Sequence, residues 1–178
     1  GLYFKTLCDL NAINDIYPDL NGIDQVIANS SLTAYKNVSP ELKLASLFCA
    51  VDTVRDENVV DHLDEIQNRI KFPNSYKSFA KSALRTTKIL NESRGNISAD
   101  DIYEIIQATD AFRNPEDFML IMEFHKLTDD GDLKVKIRMI VDAFDSCKNI
   151  GYDKESFEGL EGETIKKKLC LLYTSDAA

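Results

Sequence analysis

The stretch SADDIYEIIQATDAFRNPEDFMLIM, residues 98–122, decides the fold, because it holds two helices and the punctuation that separates them. Ser98 followed three residues later by Asp101 is a near capping box, and Asp100 and Asp101 suit the positive end of a helix dipole. Ile102, Ile105 and Ile106 then recur at helical spacing. Asn114-Pro115 restarts the chain with Pro at a first helical position, followed by Glu116 and Asp117, and Phe118, Ile121 and Met122 fall on one face.

The same devices recur along the chain. Ser39-Pro40 predicts an N-cap, and Phe72-Pro73-Asn74 stops one helix and offers Asn74 to cap the next. Further apolar stripes are Leu42, Ala45, Leu47, Phe48; Val59, Leu63, Ile66, Ile70; and Leu133, Ile137, Ile140, Val141, Phe144. With seven Gly, four Pro and no sustained apolar-polar alternation, strands are not expected. The expected fold is all-α, an antiparallel array of about nine short helices. No stripe runs long enough for a coiled coil, and no repeat of fixed period is visible.

Composition narrows the function. The chain has 178 residues, 44% hydrophobic and 29% charged, with no apolar run long enough for a membrane span. It reads as cytoplasmic. Cys8, Cys49, Cys147 and Cys170 lack metal-ligand spacing and read as reduced structural thiols. His62 and His125 stand in no metal or catalytic motif. Asp129, Asp130 and Asp132 lack the spacing and closing Glu of a calcium loop. There is no glycine-rich phosphate loop and no nucleophile elbow. From composition and spacing alone, a binding or structural role is favoured over catalysis.

A net charge of −9 argues against binding nucleic acid through bulk electrostatics, yet the basic residues are unevenly placed. Lys71, Lys77, Lys81, Arg85, Lys88 and Arg94 stand against one acid, Glu92, in the same segment. Lys77, Lys81, Arg85 and Lys88 fall within roughly an 80° arc of a helix. Tyr76, Phe79, Ala80, Ala83, Leu84 and Leu90 lie opposite. Such a helix presents either a solvated face or a track for RNA phosphates. A second candidate is the helix start at Gly162, with Lys166, Lys167 and Lys168 nearby and Glu161 and Glu163 opposing.

In order, these signals resemble the C-terminal body and tail of bacterial CCA-adding tRNA nucleotidyltransferases. Asp110-Ala111-Phe112-Arg113-Asn114-Pro115-Glu116-Asp117-Phe118 is similar to the family segment D-A-[WF]-R-x-P-E-R-F, departing at Asp117. Asn11-Ala12-Ile13 and Ile16-Tyr17-Pro18-Asp19-Leu20 resemble G-A-L and L-F-P-E-L. Arg69 to Asn74 resembles the L-R-V-P-N junction, and Leu160 to Ile165 resembles L-x-G-x-x-I. The likeness runs over residues 3–169. Residues 1–95 would form a helical body with a degenerate HD-like region and 96–169 a helical tail. Residues 170–178, CLLYTSDAA, look like a sequencing adapter read in frame.

The resemblance implies a fold like the C-terminal part of poly(A) polymerases and tRNA nucleotidyltransferases. It implies tRNA as partner, together with an N-terminal nucleotidyltransferase head expected upstream of Gly1, and neither DNA nor membrane. Mg²⁺, ATP and CTP would belong to that head, so no catalytic residue and no metal are expected in this chain. Many relatives carry an H-D metal site, but its places here hold Asp24, Cys49-Ala50 and Arg85-Thr86. Without imidazoles no phosphodiesterase or phosphatase activity is expected. The family's E-A-D-x-R-G segment is altered at Glu123-Phe124-His125. Asp110, Phe112, Arg113, Pro115 and Phe118 are expected to be structural, with Phe112 and Phe118 in the core, Asp110 and Arg113 paired, and Arg113 alternatively reaching RNA. Other readings are the matching part of a related poly(A) polymerase and a helical protein-interaction module without RNA.

Overall fold

The computed structural model describes residues 9–10, 15, 39–55, 59–93, 95–126 and 131–149. Among them every regular element of more than one residue is an α-helix. These are α1 (Pro40–Arg55), α2 (Val59–Ile70), α3 (Asn74–Glu92), α4 (Ala99–Ala108), α5 (Pro115–Lys126) and α6 (Gly131–Asn149). Six helices thus stand among the described residues rather than about nine. Two of them, α3 and α6, run 19 residues each, because no breaker interrupts either one. The stretches around Asn11 to Leu20 and Leu160 to Ile165 lie outside the described residues, as do Cys8, Asp24, Arg94 and Cys170.

The chain divides into two compact units, Gly1–Arg85 and Thr86–Ala178, and the division falls inside α3. In the first unit α1 packs on α2. Ser39 Oγ accepts from the Leu42 N–H at 3.3 Å, the cap expected from Ser39-Pro40. The middle of α1 is buried well beyond one stripe, with Ala45, Ser46, Leu47, Phe48 and Cys49 all inaccessible. Ser46 is accommodated there by donating its hydroxyl to the Lys43 carbonyl at 2.9 Å. Asp52 Oδ1 accepts from the Val59 N–H at 2.8 Å, so α1 supplies the cap of α2. Val59, Leu63 and Ile66 form the buried face of α2.

The junction from α2 to α3 is held by one side chain. Lys71 takes φ +59, in the left-handed region that ends a helix, and its N–H donates to the Gln67 carbonyl at 2.8 Å. Gln67 Nε2 donates to the Phe72 carbonyl at 3.0 Å and to Asn74 Oδ1 at 2.7 Å. Asn74 therefore does not cap α3 as the sequence suggested. It lies at the first helical position with its side chain turned back to Gln67, and the Pro73 carbonyl receives the Tyr76 and Lys77 N–H groups.

In the second unit α4 and α5 both pack on α6. The capping box is complete: Ser98 Oγ accepts from the Asp101 N–H and Asp101 Oδ2 from the Ser98 N–H, both at 3.1 Å. Ile102, Ile105, Ile106, Phe118, Ile121, Met122, Ile137 and Ile140 make the core. Phe118 meets Phe144 with ring centroids 4.6 Å apart. Phe112 is not a core residue. It stands in the turn between α4 and α5, 38% exposed, with its ring 5.4 Å from that of Phe144. A turn residue has neighbours on one side only, so the core position expected for Phe112 from the motif is not realised.

Candidate nucleic-acid interface

Helix α3 is built by packing one side of itself. Phe79, Ala80, Ala83 and Leu84 are buried, followed in the second unit by Thr86, Ile89 and Leu90. Tyr76, expected on the same face, is half-buried. The other side leaves Lys81, Arg85 and Lys88 exposed, one helical turn apart. Lys77, Lys81 and Arg85 belong to the first unit and Lys88 to the second. From Lys77 to Arg85, within the first unit, the row rises roughly 12 Å along the helix.

Lys77 differs from the other three. It is half-buried, and its Nζ lies 2.6 Å from Asp64 Oδ1 on α2. A hydrogen bond from Lys77 and then its charge hold the Asp64 carboxyl below its ordinary range, against an opposing effect of desolvation, and the charge of Lys81 adds the smallest contribution in the lowering direction. The carboxylate therefore remains ionised beside the row. Asp61 and Glu65 are also exposed on α2, and Glu65 lies 3.7 Å from His62. Spacing within α3 could not reveal Asp64. The available signal was the acidic face of the preceding helix, folded back across Pro73.

Arg113 is highly exposed, and its Nη1 lies 3.5 Å from Asp110 Oδ2. Asp110 is the joint of this turn. It takes φ +47, its N–H donates to the Gln107 carbonyl, and the Ala111 N–H donates to the Ile106 carbonyl, each at 3.0 Å. This pair of bonds closes α4 in a Schellman arrangement, with Asp where Gly is usual. The Asp110 carbonyl then receives the Arg113 and Asn114 N–H groups at 2.9 Å, and its side chain receives Asn114 Nδ2 at 3.4 Å. Pro115 begins α5, with Glu116 and Asp117 in its first turn. Gly162, Lys166, Lys167 and Lys168 lie outside the described residues.

At the altered segment Glu123 is exposed, Phe124 half-buried and His125 buried. Burial pushes the His125 imidazole down to about 4, so it is neutral near pH 7. Its Nε2 lies 3.5 Å from Thr87 Oγ1. Lys136 is also buried, placing Nζ 2.7 Å from the Ser93 carbonyl at the end of α3 and 3.5 Å from Asp132 Oδ2. Of the residues expected to stand at the places of an H-D site, Cys49 and Thr86 are buried and Arg85 is exposed. Among the described residues no three His, Cys, Asp or Glu side chains are grouped to hold a metal ion. Cys49 and Cys147 are both buried. No helix among the described residues is long and apolar enough to cross a membrane.

The described residues thus define an all-helical protein with a cationic face along α3. Compared with known proteins, the chain matches no family model and no solved structure. It is similar to a CCA-adding enzyme of Francisella tularensis subsp. novicida (strain U112), 22% identical over 179 residues, which cover 97% of this chain and 46% of the relative. The chain spans less than half the length of the curated relative it matches.

Proposed function

We propose that this chain is the tRNA-binding C-terminal portion of a CCA-adding tRNA nucleotidyltransferase, and that the outward row of α3 lies against RNA phosphates. The observation that carries the reading is the likeness to a CCA-adding enzyme over 97% of the chain. The exposed Lys81, Arg85 and Lys88 support it physically, since phosphate contacts come from clustered cations even when a protein is acidic overall. Shape and backbone contacts, rather than base reading, are the usual means of holding folded RNA. In this reading Mg²⁺, ATP and CTP bind a nucleotidyltransferase head N-terminal to these helices, and the chain itself holds the tRNA body. The degenerate H-D positions hydrolyse nothing. Arg113 serves the Asp110 turn, and the Gly162 helix start with Lys166, Lys167 and Lys168 is a second phosphate contact.

Binding of unfractionated tRNA to the full chain, measured across a salt series, tests this. Binding should weaken steeply with salt, and reversing Lys81, Arg85 and Lys88 to Glu should flatten the log-log slope by about two to three units. Tight binding that ignores those reversals would remove α3 as the interface. Absence of tRNA binding at low salt would favour a protein-interaction module.

A further inference from the structure

We infer that Asp64 stands in for an RNA phosphate: its carboxylate occupies the ammonium group of Lys77, and an incoming phosphate displaces it. Asp64 thereby sets how tightly the α3 row holds RNA. This rests on the reading of α3 as a phosphate track.

Three features of the pair support it. The Lys77 Nζ to Asp64 Oδ1 distance is 2.6 Å, which leaves no room for another anion at the same point of the ammonium group. The two side chains are unequally held, with 27% of the Lys77 surface exposed against 80% for Asp64. The lysine stem is packed and keeps its charge at the head of the row, whereas the carboxylate stands in water and can turn away. An ion pair this exposed gains little from its own attraction, because water competes with it, so a phosphate anchored by the neighbouring cations can replace it. Lys81, one turn on, also acts on Asp64, so the carboxylate weakens the field of the row beyond its direct partner.

The chemistry requires no bond making. One oxyanion leaves Lys77 and another takes its place, and the released carboxylate returns to water. An RNA-bound chain with Asp64 intact bears the cost of parting the pair. A chain without that carboxylate offers Lys77 from the start.

The test measures unfractionated tRNA binding by the full chain carrying Asp64→Asn, Lys77→Gln, both together, or Glu65→Gln. Glu65 follows Asp64 on α2, is exposed, and removes the same charge without touching Lys77. Asp64→Asn should tighten binding up to about fivefold near 50 mM salt and about twofold near 300 mM, the gain shrinking as salt screens the pair. Glu65→Gln should change affinity by less than about twofold, and Asp64→Asn should have no further effect once Lys77 is Gln. Equal gains from Asp64→Asn and Glu65→Gln would overturn the inference, as would a gain that survives Lys77→Gln. Should reversal of Lys81, Arg85 and Lys88 weaken binding while Asp64→Asn leaves it unchanged, the phosphate track stands and the role of Asp64 falls. Reversals without effect would remove both.

Discussion

Asp110 shows how much one residue can do at a helix end. A left-handed conformation costs most side chains about 1–2 kcal/mol, and Asp tolerates it because a short polar side chain can bond locally. Here it does so through Asn114 and Arg113. Asp110→Gly should stay within about 0.5 kcal/mol of the parent, since relief of the backbone offsets the lost contacts, whereas Asp110→Val should cost about 1–2 kcal/mol. Chemical denaturation of the two variants checks the contrast. His125 gives a prediction of a different kind. In the unfolded chain it ionises near 6.5 and in the folded one only near 4. Below the upper value the unfolded state takes up a proton that the folded state refuses, so stability is full above pH 6.5 and falls as the pH drops toward 4. The whole effect is about 3 kcal/mol, of which about 2 should be lost between pH 7 and pH 5. Urea midpoints of the parent and of His125→Gln should converge as the pH is lowered over that range, and parallel pH profiles would show that the imidazole contributes nothing.

Among the elements, the pairing of α5 with α6 is anchored by aromatic packing, and the two phenylalanines of the turn motif should behave differently. Phe118 is wholly buried against Phe144, so Phe118→Ala should cost about 3–5 kcal/mol. Phe112 keeps one covered face, and Phe112→Ala should cost about 1 kcal/mol. Thermal melts of both variants would separate them, and equal losses would mean that Phe112 is as enclosed as its partner. The end of α3 is fixed to the start of α6 by Lys136, whose aliphatic stem is buried while its ammonium group reaches the Ser93 carbonyl. Gly95, in the bend that follows, takes φ +75, which a side chain would resist.

For the whole molecule, the proposed function turns on whether local or total charge would govern RNA binding. At a net charge of −9 the chain as a whole repels polyanions, and only a concentrated row can overcome that repulsion. Reversing Lys126, Arg138 and Lys148, exposed on α5 and α6, alters the net charge as much as reversing Lys81, Arg85 and Lys88. The second set should weaken tRNA binding by tenfold or more near 50 mM salt and the first by only about twofold, as read by anisotropy. Similar losses from both sets would mean that net charge, rather than α3, decides the affinity.

The sequence by itself determined the helical class, the cap at Ser98, the break at Asn114-Pro115, the apolar side of α3 and the alignment of its cations. These are local properties, set by spacings of three or four residues and by the conformational limits of Pro, Ser and Asp. Tertiary structure decided what those residues meet. Lys77 is engaged by a carboxylate 13 positions away, and Lys136 is buried against a carbonyl 43 positions away. His125 is kept neutral by enclosure, whereas Phe112 is left half in solvent. Charge state and burial depend on neighbours brought together by folding, and no periodicity along the chain encodes which neighbours those are.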